Sequence, residues 1–169
     1  PFYRDQPDPN GSLFFWHYNT NKRGVTLDLT TTSGRELFRR MAAGADLVID
    51  AFPPGYLDGL GIGYRQLQES NPSIIMAAVT PFGQEGPYQE YAMTDLTGLA
   101  FGGPVWSTGY DDHSLPPVRG GGNQWAHTGG TFATIGILIA LLHRQQTGEG
   151  QFIDVNMHAA MNVTTEGAT

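Results

Sequence analysis

The chain has 169 residues, 40% of them hydrophobic, a formal charge of −7 with nine Lys and Arg against sixteen Asp and Glu, and not one cysteine. That length suits a single domain with a sizeable core, and the acidic balance with scattered basic residues argues against a nucleic-acid partner and for a small molecule or a protein. Lack of cysteine removes disulfides, thiolate nucleophiles and Cys-based zinc sites together, which fits a reducing, cytoplasmic compartment.

The opening "PFYRDQPDPNGS" reads as polar loop, with neither an initiator Met nor the basic-then-apolar pattern of a signal segment. With an end that breaks off soon after a new helix begins, the chain is expected to be a piece of a longer protein. The longest apolar run, 132–142, is shorter than the roughly 20 residues a helix needs to cross a bilayer, so no membrane span is expected.

In "GVTLDL", Val25, Leu27 and Leu29 alternate with polar residues as in a strand with one buried face. A helix should follow: Ser33 and Glu36 have capping-box spacing, Leu37, Phe38, Met41 and Ala42 make an apolar stripe, and Gly44 suits the position after the last turn. "DLVIDAF" (46–52) is apolar enough for a strand covered on both faces, and Pro53-Pro54-Gly55 ends it. A short helix at 63–70 and the strand "SIIMAAV" (73–79) repeat the pattern. The fold class is therefore α/β, a parallel sheet with helices on both faces.

The Gly- and Pro-rich loop 80–90 lies at a strand's C-terminal end, the edge where open α/β sheets bind ligands. A helix is expected over 95–101, then a long irregular stretch over 104–124 of the kind that forms binding loops. The next helix, 125–146, carries Ala126, Gly129, Gly130, Ala133, Gly136 and Ala140 at helical spacing and is apolar on its other faces, the pattern of a buried helix. After the turn "TGEG", "QFIDVNM" alternates like a strand and "HAAM" begins another helix.

"GLGIG" (59–63) fails the dinucleotide fingerprint, because position 64 is Tyr and no strand directly precedes it; it reads as a turn between helices. His17, His113, His127, His143 and His158 include no pair at the i, i+4 spacing of a metal-binding helix, so no metal is expected. His143 suits the last turn of its helix, where positive charge complements the dipole. His127 sits in "GNQWAHTGG", just where a helix begins, and the dipole there favours a neutral imidazole able to accept a proton or orient a substrate. An N-cap or packing role is the alternative.

Four ordered strings, "NKRGVTLDL", "GRELFRRMAAGADLVIDAFPPGYLDGLGIGY", "NPSIIMAAVTPFGQEGPY" and "IGILIALLHRQQTGEGQFIDVNM", resemble the class III CoA-transferases, the CaiB/BaiF family that also includes the α-methylacyl-CoA racemases. The resemblance covers nearly the whole chain. It implies a partial large, Rossmann-like, CoA-binding domain over 1–169, lacking the family's N-terminal start and second small domain. It also implies acyl-CoA and a carboxylic acid acceptor as substrates, coenzyme A as the only cofactor-like group, and an interlocked homodimer. In such transferases an aspartate before the buried helix attacks the thioester to give an acyl-aspartyl anhydride, splitting one difficult exchange into two easier ones.

The resemblance places Leu27 and Phe52 where family members contact CoA, with Thr30 in place of a lysine, Ala51 in place of an asparagine and Gly59 in place of an arginine. The nucleophilic aspartate would fall at Trp125 or Ala126, so the usual nucleophile is missing. Thr94 and Asp95 stand where racemases carry their histidine and aspartate, which excludes the standard racemase pair. In the aspartate's place the lip offers Asn123 and Gln124 as donors to a thioester carbonyl and His127 as general base or acyl acceptor, with Asp95 as the nearest carboxylate. The expected function is an acyl-CoA enzyme of the class III transferase type with a non-standard site. The alternatives are a CoA-ester-binding homologue without turnover and a racemase- or isomerase-like acyl-CoA enzyme.

Overall fold

The computed structural model describes residues 2–112 and 114–165; His113 lies outside them. Three strands, β1 (Leu47–Asp50), β2 (Ile75–Thr80) and β3 (Phe152–Asn156), form a parallel sheet in the order β1-β2-β3. Val48 pairs with Met76 and Met76 with Phe152 in one line across the sheet. Because side chains alternate across a strand, that line points to one face. There Phe152 meets the ring of Tyr64 from α4 (Tyr64–Ser70) with centroids 5.7 Å apart, and Met76 joins Ala42, Leu57, Ile62, Leu67 and Ile74 in one core cluster. Ile153 points to the opposite face, where α7 (Gln124–Thr147) comes so close that a Cβ on Gly136 would stand 3.1 Å from it. The α/β fold with helices on both faces is thus in place.

Central strand β2 is buried almost throughout, as its unbroken apolar run demands. β1 differs from expectation. It is an edge strand, and Ile49 is 63% exposed, so only one of its faces is fully used. Residues 22–28 form no strand either, because a strand needs a neighbouring ladder and no described residue supplies one. The alternation there matches neither pairing nor full burial: Leu29 packs on the core cluster while Val25 is exposed.

Helix α2 (Thr32–Ala43) starts earlier than its capping-box spacing suggests. Asp28 accepts the Thr30 N–H and hydroxyl, and the Thr31 hydroxyl then caps the Gly34 N–H at 3.0 Å, which leaves Ser33 inside the helix. Of its apolar stripe, Phe38 and Ala42 face the core, whereas Leu37 and Met41 are exposed. "GLGIG" is a turn as expected, joining α3 (Tyr56–Gly59) to α4, with Gly61 in the left-handed region at φ +69°. Short helices without a counterpart in the expected elements include α3 and α1 (Leu13–Asn19), the latter following the opening loop and capped by Ser12.

Helix α7 spans 24 residues, because Gln124 to Thr128 and Arg144 to Thr147 extend the apolar run at both ends, and by length and composition alone it could cross a bilayer. Here its small residues serve the sheet and α8 (Met157–Thr164): Ala133 and Ala140 are buried, and Gly129 lies against Met157. Ile135, Leu138, Ile139 and Leu142 are exposed, so the helix is buried on one side only. Arg144, not His143, works at its C-terminal end, bonding the Asp46 carboxylate and carbonyl at 3.0 Å each and so tying the helix to the start of β1. Among the described residues of 104–123 there is one short helix, α6 (Pro104–Ser107), and the rest are irregular.

At the other end of α7, Trp125 is 5% exposed and packs with Leu99, Val105 and Met161. The indole lies directly over Gly98 of α5 (Asp95–Phe101), where a Cβ would stand 2.3 Å from its ring. A buried indole cannot swing aside, so Gly98→Ala should cost roughly 1–3 kcal/mol of stability. Urea denaturation of the purified variant against wild type measures it.

Candidate active site

The first turn of α7 is pinned from one side and open on the other. Its N-cap, Asn123, makes no side-chain capping bond. The capping acceptor comes from 30 residues away: Asp95 Oδ1 accepts the Trp125 N–H at 3.0 Å, while Oδ2 takes Arg119 Nη1 at 2.5 Å. A carboxylate is well placed there, since the helix dipole and unpaired N–H groups favour negative charge. With Trp125 seated on Gly98, this carboxylate fixes where the helix begins.

On the open side, His127 Nε2 and the Tyr18 hydroxyl of α1 are 2.9 Å apart. Both line a cleft of about 440 Å³ between α1 and α7, together with Phe14, Asn123, Ala126, Gly130, Thr131 and Thr134. The threonine hydroxyls are turned back onto helix carbonyls, Thr131 onto His127 and Thr134 onto Gly130, each at 2.8 Å. Ala126 and Gly130 leave room in the floor. No Lys, Arg, Asp or Glu is among the lining residues.

A second concavity, about 310 Å³, opens where the strands β1 and β2 end, and Ala51, Phe52, Pro81, Tyr91 and Met93 are among its walls. Met93 also packs on the Leu99–Trp125 cluster, so this crevice and the root of α7 share a wall. The loop after β2 is held from β3: Asp154 Oδ2 accepts the Gln84 N–H at 2.9 Å, and Asn156 Nδ2 donates to the Phe82 carbonyl at 2.8 Å. Between them Gly83 adopts φ +83°, which the tight fit against Asp154 and Asn156 reserves for glycine. Asp50 ends β1 beneath the crevice, 7% exposed. Burial pushes its carboxyl above the ordinary value of 3.8, the Phe52 N–H at 2.7 Å partly opposes this, and the nearby Asp58 charge adds to it. His158 meets Phe82 at a tilt and Phe101 edge-on beside this loop, and burial lowers its pKa.

Of the residues singled out in the sequence, Asn123 and His127 come together in the α1–α7 cleft, and Ala51 and Phe52 in the crevice. Gln124 turns away, donating to the Gly121 carbonyl at 3.3 Å. Asp95 is committed to the helix terminus and Arg119 and does not line the cleft. Leu27 is half-buried and the Thr30 hydroxyl is spent on Asp28 at 2.6 Å, and neither lines the crevice. Of the two positions at which the resemblance puts an aspartate, Trp125 is core and Ala126 faces the cleft. Tyr18 and Phe14 lie in a helix to which the periodicity assigns no element; Ser12 ahead of the apolar run "LFFW" is the cap signal that points to it.

A sequence profile of the family described as CoA-transferase family III matches residues 2–168. The chain belongs to that family. It is 41% identical over 168 residues to the succinyl-CoA:(R)-benzylsuccinate CoA-transferase subunit BbsE of Thauera aromatica, covering 99% of this chain and 40% of that protein. It is 39% identical over 138 residues to the succinyl-CoA–D-citramalate CoA-transferase of Chloroflexus aurantiacus, covering 82% of this chain and 34% of that one. A crystal structure of a CaiB/BaiF family protein from Brucella suis superposes with a TM-score of 0.86 at 34% identity, over 93% of this chain and 41% of that chain. The family III chain therefore spans about two fifths of the length of these relatives.

Three variants check the roles assigned to the carboxylates. Asp95→Ala should lose about 1 kcal/mol by removing the cap of α7, with Asp95→Asn losing less because its amide oxygen still accepts the Trp125 N–H; thermal melts compare them. For Asp50, the folded protein holds its proton to higher pH than the unfolded chain, so wild-type stability falls as pH rises through the window above 3.8. Asp50→Asn keeps an acceptor for Phe52 and does not titrate. Its stability relative to wild type should therefore be higher at about pH 7 than at about pH 3, as paired denaturant curves would record.

Proposed function

We propose that this family III chain forms the CoA-binding and acyl-binding face of an enzyme that moves CoA between carboxylic acids, as part of a larger, cytoplasmic, homodimeric protein. The carrying observation is the pair of concavities, the crevice at the C-terminal edge of the sheet and the cleft at the start of α7, with Met93 both in the crevice wall and packed on the Trp125 cluster that anchors that helix. The crevice at Ala51 and Phe52 would take the CoA moiety, Leu27 and Thr30 would flank it, and the α1–α7 cleft would take the acyl end, with His127 and Asn123 facing the thioester and Gln124 shaping the lip. Asp95 would hold the helix that presents them. Relatives named for succinyl-CoA, formyl-CoA and oxalate transfer support the substrate class of CoA thioesters and carboxylic acids.

The cleft has Ala126 where a nucleophilic carboxylate would stand, and alanine can hold no acyl group. This observation, with a similar relative that is itself named as a subunit, favours a second reading in which another chain supplies the carboxylate and this one binds the CoA ester. Incubating the full-length protein with a panel of acyl-CoA thioesters and acceptor acids separates the two. Thioester exchange by the purified protein, reduced by roughly 100-fold in His127→Ala, is the outcome expected for a self-sufficient transferase. Tight acyl-CoA binding with no exchange until a second chain is added supports the subunit reading, and absence of both binding and exchange rejects the assignment.

A further inference from the structure

Tyr18 and His127 lie 109 positions apart in the chain, yet the Tyr18 hydroxyl and His127 Nε2 stand 2.9 Å from one another at the cleft. Which atom carries the proton follows from elementary acidity. A phenol O–H is a good donor, and its oxygen, with a lone pair delocalised into the ring, is a poor acceptor. The bare nitrogen of a neutral imidazole is a strong acceptor. The favoured arrangement has Tyr18 donating to Nε2, and the hydrogen bond at one ring nitrogen then decides that the ring proton resides on the other. Tyr18 is itself held by ring packing on Phe14 at 4.6 Å and on His17 at 4.8 Å. Among the described residues nothing bonds His127 Nδ1.

One turn earlier on the same helix, the Asn123 side chain lines the cleft with its amide uncommitted to capping. The cleft therefore offers two donors and, among its lining residues, no Lys or Arg. A cation would bind a carboxylate most tightly before reaction. Neutral donors suit an oxygen that is uncharged in the ground state and gains charge as the carbonyl is attacked.

We infer that Tyr18 is a positioning residue that locks His127 as the Nδ1–H tautomer, so that His127 acts as a hydrogen-bond donor to the carbonyl oxygen of a bound acyl thioester. This rests on the acyl-CoA reading for its ligand. It changes the part given to the imidazole: the atom turned to substrate carries a proton and stabilises the developing oxyanion, and the nucleophile is another group.

The full-length protein, labelled with ¹⁵N-histidine and studied at about two pH units above the ordinary imidazole value, reports the tautomer through long-range ¹H–¹⁵N correlations. His127 should show the Nδ1–H pattern, and Tyr18→Phe should move it toward the Nε2–H form that free imidazole side chains prefer. In binding assays an acyl-CoA should be favoured over its thioether analogue, which has a methylene in place of the carbonyl, by roughly ten-fold, with that preference lost in Tyr18→Phe and in His127→Ala. An Nε2–H pattern in wild type, or a tautomer and a thioester preference that Tyr18→Phe leaves unchanged, would overturn the inference. Equal binding of both CoA compounds by wild type removes the carbonyl assignment and leaves the acyl-CoA reading standing, whereas binding of neither removes that reading too.

Discussion

The hydrogen bond from the Trp125 N–H to the Asp95 carboxylate is the constraint on which the site depends. It joins two helices at their N-termini, and the buried indole on Gly98 prevents either from sliding along the other. A helix has four N–H groups at its start without internal partners, and here the residue in the capping position leaves them to a side chain from elsewhere. That arrangement frees Asn123 for the cleft. It also sets the rotation of α7 about its axis: with Trp125 fixed inward, Ala126 and His127 must turn toward α1.

The same helix meets the sheet through small residues, which leaves the cleft on its side facing α1. Gly129 against Met157 and Gly136 against Ile153 bring the backbone of α7 close to β3 and α8, while Arg144 secures the far end to Asp46. Dispersion and burial along this contact hold the helix lengthwise, and the ion-paired ends fix its register. The crevice is organised from the same strand, because Asp154 and Asn156 of β3 hold the loop that follows β2. One strand thus touches α7 and holds the loop beside the crevice. The carboxyl of Asp50, sheltered beneath Phe52, is the one titratable group that β1 contributes at this edge, and its burial is a cost borne beside a proposed binding surface.

Much of the architecture was legible because hydrophobic periodicity carries it. β2 and β3, α5 and the turn at 59–63 lie where the pattern puts them, and α7 is displaced by a residue at its ends. The misses share a physical origin. Alternation over 24–29 has the period of a strand, but pairing and burial require a partner surface, which no local pattern encodes. Ser33 and Glu36 satisfy a capping box on paper, yet the Asp28 turn offers Thr31 a better geometry first. The aromatic run of α1 escaped notice because a short exposed helix has no buried stripe to announce it. The part of the site contributed by that helix was invisible for the same reason.

By itself the sequence determined the α/β class, the family, the apolar strands and the placement of His127 at the start of a long helix, since each rests on local composition or on ordered strings of residues. Only the tertiary structure decided that Asp95 serves the helix end, that Ala126 and not Trp125 faces the cleft, and that Tyr18 meets His127. Those outcomes depend on how helices distant in the chain rotate against one another. Rotation is set by packing around buried groups such as Trp125 and Gly98, which a one-dimensional pattern names without saying what they touch.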